Sequence, residues 1–384
     1  MRVLIFPNDP LVAYLKKGEL KTRYFNPLNV FDEVHFVTFA NEECSVKEIQ
    51  KSIGNAKGYI HQLAPISIFD MFFPGRRIKD VVEVIKSIKV DIVRAYNPVF
   101  QGFFAGIASS HLKTPFLISL HGNYDLDIRY QYKVNRDKRY LKYLLSKLTV
   151  EKKSLQMATH ILGAYKFAGK YATDNGVDHS KLTIIYNRVY LDKFKPNKTR
   201  NKSKKINVIS VGRLIKEKGQ KTLIDAINLL DENISLTIVG DGEDYDLLVA
   251  RVKELSLTNR VTFIKSIPND ELAELYREHD IFALPIHYGG IAIPVLEATA
   301  SGLALVVPKP VHEETPEIVG DYAEIVENSE KGFANGIDKV ASNFELREEM
   351  TSKGLKLVSH YSGEIMERKE SMLYKKLVNA NENI

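Results

Sequence analysis

The residue types best suited to chemistry on an anion stand in the second half of the chain. Val211-Gly212-Arg213-Leu214-Ile215-Lys216-Glu217-Lys218-Gly219 reads as a strand end, a turn and the opening of a helix. Arg213 can fork two phosphate oxygens, Lys218 supplies a point charge, and a helix N-terminus behind them adds the positive end of its dipole. Together they suit a diphosphate; alone, two such residues are more often a solvated basic turn. A second turn, Val239-Gly240-Asp241-Gly242, has glycines that let backbone bend sharply and approach a ligand. The third motif runs from Leu284 to Ala298, with Gly289-Gly290 in a loop and Pro294 near the first turn of a helix. Amides of Gly290, Ile291, Ala292 and Ile293 would point at an anion or at sugar hydroxyls. Glu297, about one turn into that helix, can accept both hydrogens of a ribose diol.

The elements that must hold these residues alternate along the whole chain. In the first half the expected strands are Arg2–Phe6, Glu33–Phe39, Gly58–Leu63, Asp91–Tyr96, Pro115–Leu120, Thr159–Gly163 and Leu182–Tyr186, with helices such as Arg77–Ile88 and Gln101–His111 between them. The second half repeats the pattern with strands Ile206–Val211, Ser235–Val239, Arg260–Ile264, Ile281–Leu284 and Leu303–Val307, then closes on three helical stretches. Such alternation specifies α/β domains with parallel, doubly wound sheets, whose ligands sit beyond the carboxyl ends of the strands. The polar, basic stretch Lys195–Lys205 reads as a linker. The expected division is therefore 1–195 and 196–362, with a final helix, 363–384, returning to the first domain.

Composition bounds the possibilities. At 384 residues, 44% hydrophobic and 27% charged, the chain has the make-up of an ordinary globular protein large enough for two cores. The N-terminal apolar run is too short for a signal peptide, and no stretch approaches the ~20 apolar residues of a membrane span. A single cysteine, Cys44, excludes an internal disulfide framework and a cysteine-rich zinc site. These features lead to an expected cytoplasmic location. The net charge of +6 suits anionic ligands or lipid surfaces. No basic stripe joined to a nucleic-acid motif is present, so nucleic acid is not an expected partner.

With three motifs in order, the segment Val208–Val319 resembles the nucleotide-binding domain of the retaining family-4 glycosyltransferases, which have the two-domain GT-B fold. The matching runs are GRLIKEKG, IVGDGE, GGIAIPVLEATASG and PEIVGD at Pro316–Asp321. The first half is similar over less: Asn187 in Ile185–Val189, then Asp192-Lys193-Phe194-Lys195-Pro196, and His121-Gly122 after a strand. Gly18, in Lys16-Lys17-Gly18-Glu19, stands for a reduced glycine-rich loop. The resemblance implies two Rossmann-like domains facing across a cleft, acceptor in the first and nucleotide sugar in the second. It implies catalytic roles for His121, Arg213 and Lys218. It further implies donor contacts from Gly18, Asn187, Gly212, Gly240, Gly242, Ile264, His287, Gly289 to Ile293 and Glu297. One departure matters: Gly289 stands where the family has the first acid of a Glu–x(7)–Glu pair, leaving Glu297 and drawing attention to His287 and Tyr288.

The reaction so implied is sugar transfer with retention, from a UDP-sugar ahead of a GDP-sugar, to a hydroxyl of a glycan or lipid-linked acceptor. No cofactor or metal is expected, because fixed cations can neutralise the departing diphosphate, and Asp125-Leu126-Asp127 reads as loop acids. A GT-B-like epimerase and a catalytically impaired nucleotide-binding subunit are the alternatives. Residues 133–153 join many Lys and Arg with Leu141, Leu144, Leu145 and Leu148 at helical spacing. Such a helix is either a solvated domain helix or a peripheral membrane contact at the inner face of the membrane.

Overall fold

Short β-branched and aromatic runs become buried strands here because helices cover both faces of each sheet. The computed structural model describes residues 1–16, 21–196, 205–265, 267–287, 293–312 and 322–382. These form two units, Met1–Tyr186 with Glu364–Ile384, and Asn187–Gly363.

The first unit carries β1 (Arg2–Phe6), β2 (Glu33–Thr38), β3 (Lys57–Gln62), β4 (Ile92–Ala95), β5 (Phe116–Leu120), β6 (His160–Gly163) and β7 (Leu182–Ile184). They pair in parallel in the order β3-β2-β1-β4-β5-β6-β7. Phe6, Phe100, Phe104, Phe116 and Phe167 fill its core, each worth roughly 1.5–3 kcal/mol on burial. The C-terminal helix Gly363–Glu382 is held within this unit by charge as well as packing. Glu367 accepts from Arg23 Nε and from the Leu28 amide, both at 2.9 Å. Buried Glu370 pairs with buried Arg94 of β4, and Tyr374 packs edge-on against Phe31 at 4.7 Å.

The second unit carries β8 (Ile206–Val211), β9 (Ile234–Val239), β10 (Val261–Ile264), β11 (Ile281–Ala283), β12 (Ala304–Pro308) and β13 (Ala323–Val326), parallel in the order β10-β9-β8-β11-β12-β13. In both sheets the chain winds outward one way from its first strand and then the other. The winding reverses between β1 and β4, and between β8 and β11. At such a reversal the adjoining loops diverge to opposite faces and leave a crevice.

Several expectations need correction. β13 was not foreseen. The division falls at Tyr186/Asn187 rather than at residue 195, because residues 187–196 are tied into the second unit. The Val189 amide donates to Tyr361 and the Gly363 amide to Val189, while Phe194 packs on Tyr276. Most of the expected linker, 197–204, lies outside the described residues. The basic stretch 133–153 is not one helix: Tyr130–Val134 ends, Arg136 turns with φ of +53°, and a new helix starts at Arg139–Ser146. Asp125 and Asp127 are not loop acids but sit in a π-helical turn, Tyr124–Arg129, capped by Asn123. Asp125 pairs there with Arg129 and Lys147.

Candidate functional site

In the second unit, the turns after β8, β9 and β11 interlock. Leu214 N–H donates to the Asp241 carbonyl at 2.9 Å, and Asp244 N–H to the Leu214 carbonyl at 3.0 Å, joining the first two motifs. A Cβ on Gly240 would meet the Gly212 carbonyl oxygen at 2.0 Å, and one on Gly242 the Leu214 oxygen at 2.2 Å. Only glycine allows this approach. The third motif joins through Gly219, whose φ is +68° and whose added Cβ would stand 2.3 Å from the Pro285 oxygen. His287 N–H completes the joint by donating to Glu217 O at 2.9 Å.

Within this cluster Arg213 is exposed, and its guanidinium has no protein partner among the described residues. Its carbonyl is held by Gln220 Nε2 at 3.1 Å, which fixes the turn and leaves the cationic head outward. Lys218 closes a short 3-10 turn, Lys216–Lys218; Gly219 follows, and the helix Gln220–Ile227 starts behind it. Ile264, at the end of β10, accepts from Gly240 N–H at 2.9 Å and braces the second turn from below. His287 is half-buried, and burial first and Lys216 last push its pKa down against the pull of Glu217. Asn328, which sequence reasoning missed, directs its amide nitrogen at Ile286 O and at His287 Nδ1, both 3.3 Å. A donor facing Nδ1 places the proton of neutral His287 on Nε2.

Ile293 opens the helix Ile293–Ala300, and Glu297 lies on its second turn, 5% exposed rather than on the solvated face. Buried Tyr276 lies close enough for the Glu297 charge to help raise its phenol pKa, after burial itself. Asn187 is half-buried at the start of the second unit, and no hydrogen bond among the described residues ties it to the cluster. Gly18, Tyr288, Gly289, Gly290, Ile291 and Ala292 lie outside the described residues.

The first unit has its own crevice at the β1/β4 reversal. Asn8 and Asp9 follow β1, Tyr96 follows β4, and His121 and Gly122 follow β5; with Tyr14, Tyr24, Tyr124, Ile128, Tyr132 and Tyr143 they line a cavity of about 380 Å³. The tyrosines were not singled out from sequence. Only the position of Asn8, Asp9 and Tyr96 just after strands could have shown them. His121 stacks on Tyr96, with centroids 5.7 Å apart and planes 7° off parallel, and its carbonyl accepts from Tyr165 Oη at 3.0 Å. Behind Tyr96 the Arg94 guanidinium lies 4.2 Å from the ring centre. The Tyr96 hydroxyl is buried without a hydrogen-bond partner among the described residues.

Crowding around the His121 ring, then the Arg94 charge, lower its pKa to about 4. The ring still keeps solvent-accessible surface, so water tempers the effect. The direction, toward neutral imidazole at neutral pH, follows from both causes. A larger hollow of about 760 Å³ lies between Lys147–Gln156 and Asp174–Lys181. It sits where the chain enters β7, away from the carboxyl ends of the strands, and gathers none of the motifs.

Residues 192–357 match the family model described as Glycosyl transferases group 1, and residues 32–193 match Glycosyltransferase Family 4. An uncharacterized glycosyltransferase of Methanocaldococcus jannaschii is 29% identical over 279 residues, 68% of this chain and 68% of that protein. A second glycosyltransferase of that organism is 29% identical over 181 residues, 44% of each, so the match spans less than half of that relative. Among solved structures, HepE of Anabaena in complex with UDP superposes with a TM-score of 0.73 at 15% identity, covering 98% of this chain and 100% of that one. That likeness is one of fold.

Proposed function

The chain belongs to the group 1 glycosyltransferases of GT-B fold, and from that premise we propose that it moves a sugar with retention from a UDP-sugar, ahead of a GDP-sugar, to a hydroxyl of a glycan or lipid-linked acceptor. The observation that carries the donor side is the interlocking of three turns at the β8/β11 reversal around outward-facing Arg213. In this reading Arg213 and Lys218 bind the diphosphate, and glycine amides of the neighbouring turns add fixed dipoles. Glu297 takes the ribose diol, and His287 lies at the sugar end. The UDP held by the fold relative HepE supports the order of donors.

Charge develops on the diphosphate as the bond from the anomeric carbon breaks. Preorganised cations and amides stabilise that charge most in a site that has already shed water. The acceptor hydroxyl attacks the anomeric carbon from the face the diphosphate leaves, and its proton passes to the departing diphosphate oxygen as the old bond breaks. Neutral His121 serves this step as a hydrogen-bond partner of the transferring sugar, without adding a charge. The cavity of the first unit takes the acceptor, whose sugar rings stack on tyrosine faces while Asn8 and Asp9 meet its hydroxyls. Two protein cations do the work of a metal, so EDTA leaves turnover unchanged; loss of activity in EDTA with recovery on adding Mn²⁺ would overturn this part.

A binding screen of nucleoside diphosphates followed by Arg213→Ala tests the donor reading. Loss of a charge-assisted bidentate contact lowers affinity about 10- to 100-fold; unchanged affinity would refute the diphosphate cradle. Hydrolysis assays across UDP-, GDP- and ADP-sugars separate a transferase from an impaired subunit, which would bind nucleotide tightly and turn nothing over. An epimerase would instead convert the donor with no acceptor present.

A further inference from the structure

On the first unit, apolar side chains that folding normally hides stand in water. Phe69, Phe72 and Phe73 are 68%, 54% and 62% exposed, on the short helix Ile68–Phe72 and the residue after it. The rings of Phe69 and Phe73 lie 4.9 Å apart, so they make a patch rather than scattered singles. The turn that presents them is anchored. Ser67 N–H and Oγ donate to Asp70 Oδ2 at 2.8 and 2.7 Å, and Arg77 Nε donates to the same oxygen at 3.2 Å.

The helix Ile68–Phe72 packs against the helix Arg139–Ser146. Along that second helix and its continuation, Leu141 is 64% and Leu148 74% exposed. Exposed phenylalanines in ring contact, with further exposed leucines along the helix packed against them, mark an interaction site rather than ordinary solvent-facing surface. On the helix Arg139–Ser146, the turn before it, and the adjoining helices Gly75–Ile85 and Tyr130–Val134, Arg76, Lys79, Lys133, Arg136, Lys138 and Lys142 are all exposed. None of these six forms an ion pair among the described residues. The neighbouring carboxylates already hold cations: Asp70 and Asp80 with Arg77, Asp137 with Arg139, and Asp125 with Arg129 and Lys147. The net field beside the apolar patch is therefore positive.

An apolar patch set beside unneutralised cations fits one kind of surface best, an apolar interior under a layer of phosphates. We propose that this face seats on an anionic lipid bilayer, with Phe69, Phe72, Phe73, Leu141 and Leu148 entering the boundary below the headgroups and the lysines and arginines meeting lipid phosphates. The helix Arg139–Ser146 also contributes Tyr143 to the tyrosine-lined cavity, with Tyr132 beside it. Seating this face on the membrane brings the cavity to the lipid surface and selects a lipid-linked acceptor. That last step rests on the acceptor role proposed above; the bilayer contact itself does not.

The test is co-sedimentation of the full chain with phosphatidylcholine vesicles, with and without phosphatidylglycerol, at low and high salt. The chain pellets with the anionic vesicles and is released by salt. Phe69→Ser/Phe72→Ser/Phe73→Ser weakens partitioning on the order of a hundredfold, and Lys138→Ala and Lys142→Ala weaken it about fivefold each, with unchanged thermal unfolding. The contact is refuted if the full chain stays in the supernatant with anionic vesicles, or if the triple Phe variant pellets as well as its parent. A concentration-dependent dimer in sedimentation velocity that the triple variant abolishes would assign the patch to a second copy and overturn the proposal. Sugar transfer to a soluble acceptor is unchanged in the triple variant. Absence of any transfer in the parent would instead strike the function and leave the vesicle result standing.

Discussion

Replacing Gly219 with alanine asks whether the interlocked turns are the nucleotide site. With φ at +68°, an alanine there would have its Cβ 2.3 Å from the Pro285 oxygen. Real Cβ atoms essentially never come within 3.0 Å of such a neighbour, so one of the two loops must retreat by roughly 0.7 Å. The left-handed backbone costs alanine about 1–2 kcal/mol, and the forced overlap about 1–3 kcal/mol more. Gly176 supplies the control. Its φ is +85° but nothing lies within 4 Å of an added Cβ, so Gly176→Ala incurs the backbone cost alone. Urea unfolding should show Gly219→Ala losing about 2–5 kcal/mol and Gly176→Ala about 1–2 kcal/mol. Calorimetric titration with UDP should show at least a tenfold weaker Kd in Gly219→Ala only, since the shifted backbone carries Lys218 on one side and leads to His287 on the other. An unchanged UDP affinity in Gly219→Ala would refute the placement of the diphosphate in these turns. A stability loss no larger than that of Gly176→Ala would refute the steric argument.

His121 titrates with a midpoint below 5 by NMR of its ring, and turnover stays flat from pH 8 to about 5; a midpoint near 6.5 would contradict the crowding argument. Because its folded pKa lies below the unfolded value of about 6.5, the unfolded chain takes the proton first. The stability it contributes is present above pH 6.5 and is lost as the pH falls toward 4, by ~1 kcal/mol or less since water reaches the ring. Arg94→Leu leaves Glu370 buried without its cation and costs about 3–5 kcal/mol in urea unfolding. Arg94→Leu/Glu370→Leu regains most of that, and a double variant as unstable as the single would contradict it. Glu297→Gln weakens UDP binding about tenfold but leaves a 2′,3′-dideoxynucleoside diphosphate unaffected; equal loss on both would remove Glu297 from the ribose.

What could be read in advance divides by how local its cause is. The turns proposed to hold the donor were legible as turns because each lies in one short stretch: Gly212, Arg213, Lys218 and Gly219 within eight residues, and Gly240 with Gly242 at the next strand end. Gly219, Gly240 and Gly242 are there for close approaches of backbone to backbone, a requirement that shows in the sequence itself. The tyrosine cavity was not legible. Its residues come from Asn8 to Tyr143, brought together by β1, β4 and β5. The exposure of Phe69, Phe72 and Phe73 was not legible either, since an apolar cluster carries no mark in sequence of whether it is covered. β13 was missed because Ala323–Val326 is an edge strand with one fully buried side chain, Val326, too little for a periodic signal. Arg94 and Glu370 lie 276 residues apart, and only the fold reveals the partner.

The two units share one winding order and put opposite chemistry at its reversal. In the second, the crevice presents cations and glycine backbone, the groups that favour an anion before and after its bond breaks. In the first, the described lining is phenols, amides, one carboxylate and an imidazole held neutral. Arg94, behind this lining, is stacked on Tyr96 and neutralised by Glu370. On the proposed reading, a fixed positive charge in that cavity would hold a neutral acceptor hydroxyl less specifically than hydrogen bonds do. Burying Arg94 under Tyr96 and pairing it with Glu370 sets an ion pair behind the cavity wall, where the Arg94 charge still helps keep His121 neutral. On the proposed assignment of donor and acceptor, the site that stabilises a leaving anion and the site that positions a neutral nucleophile are built on separate units.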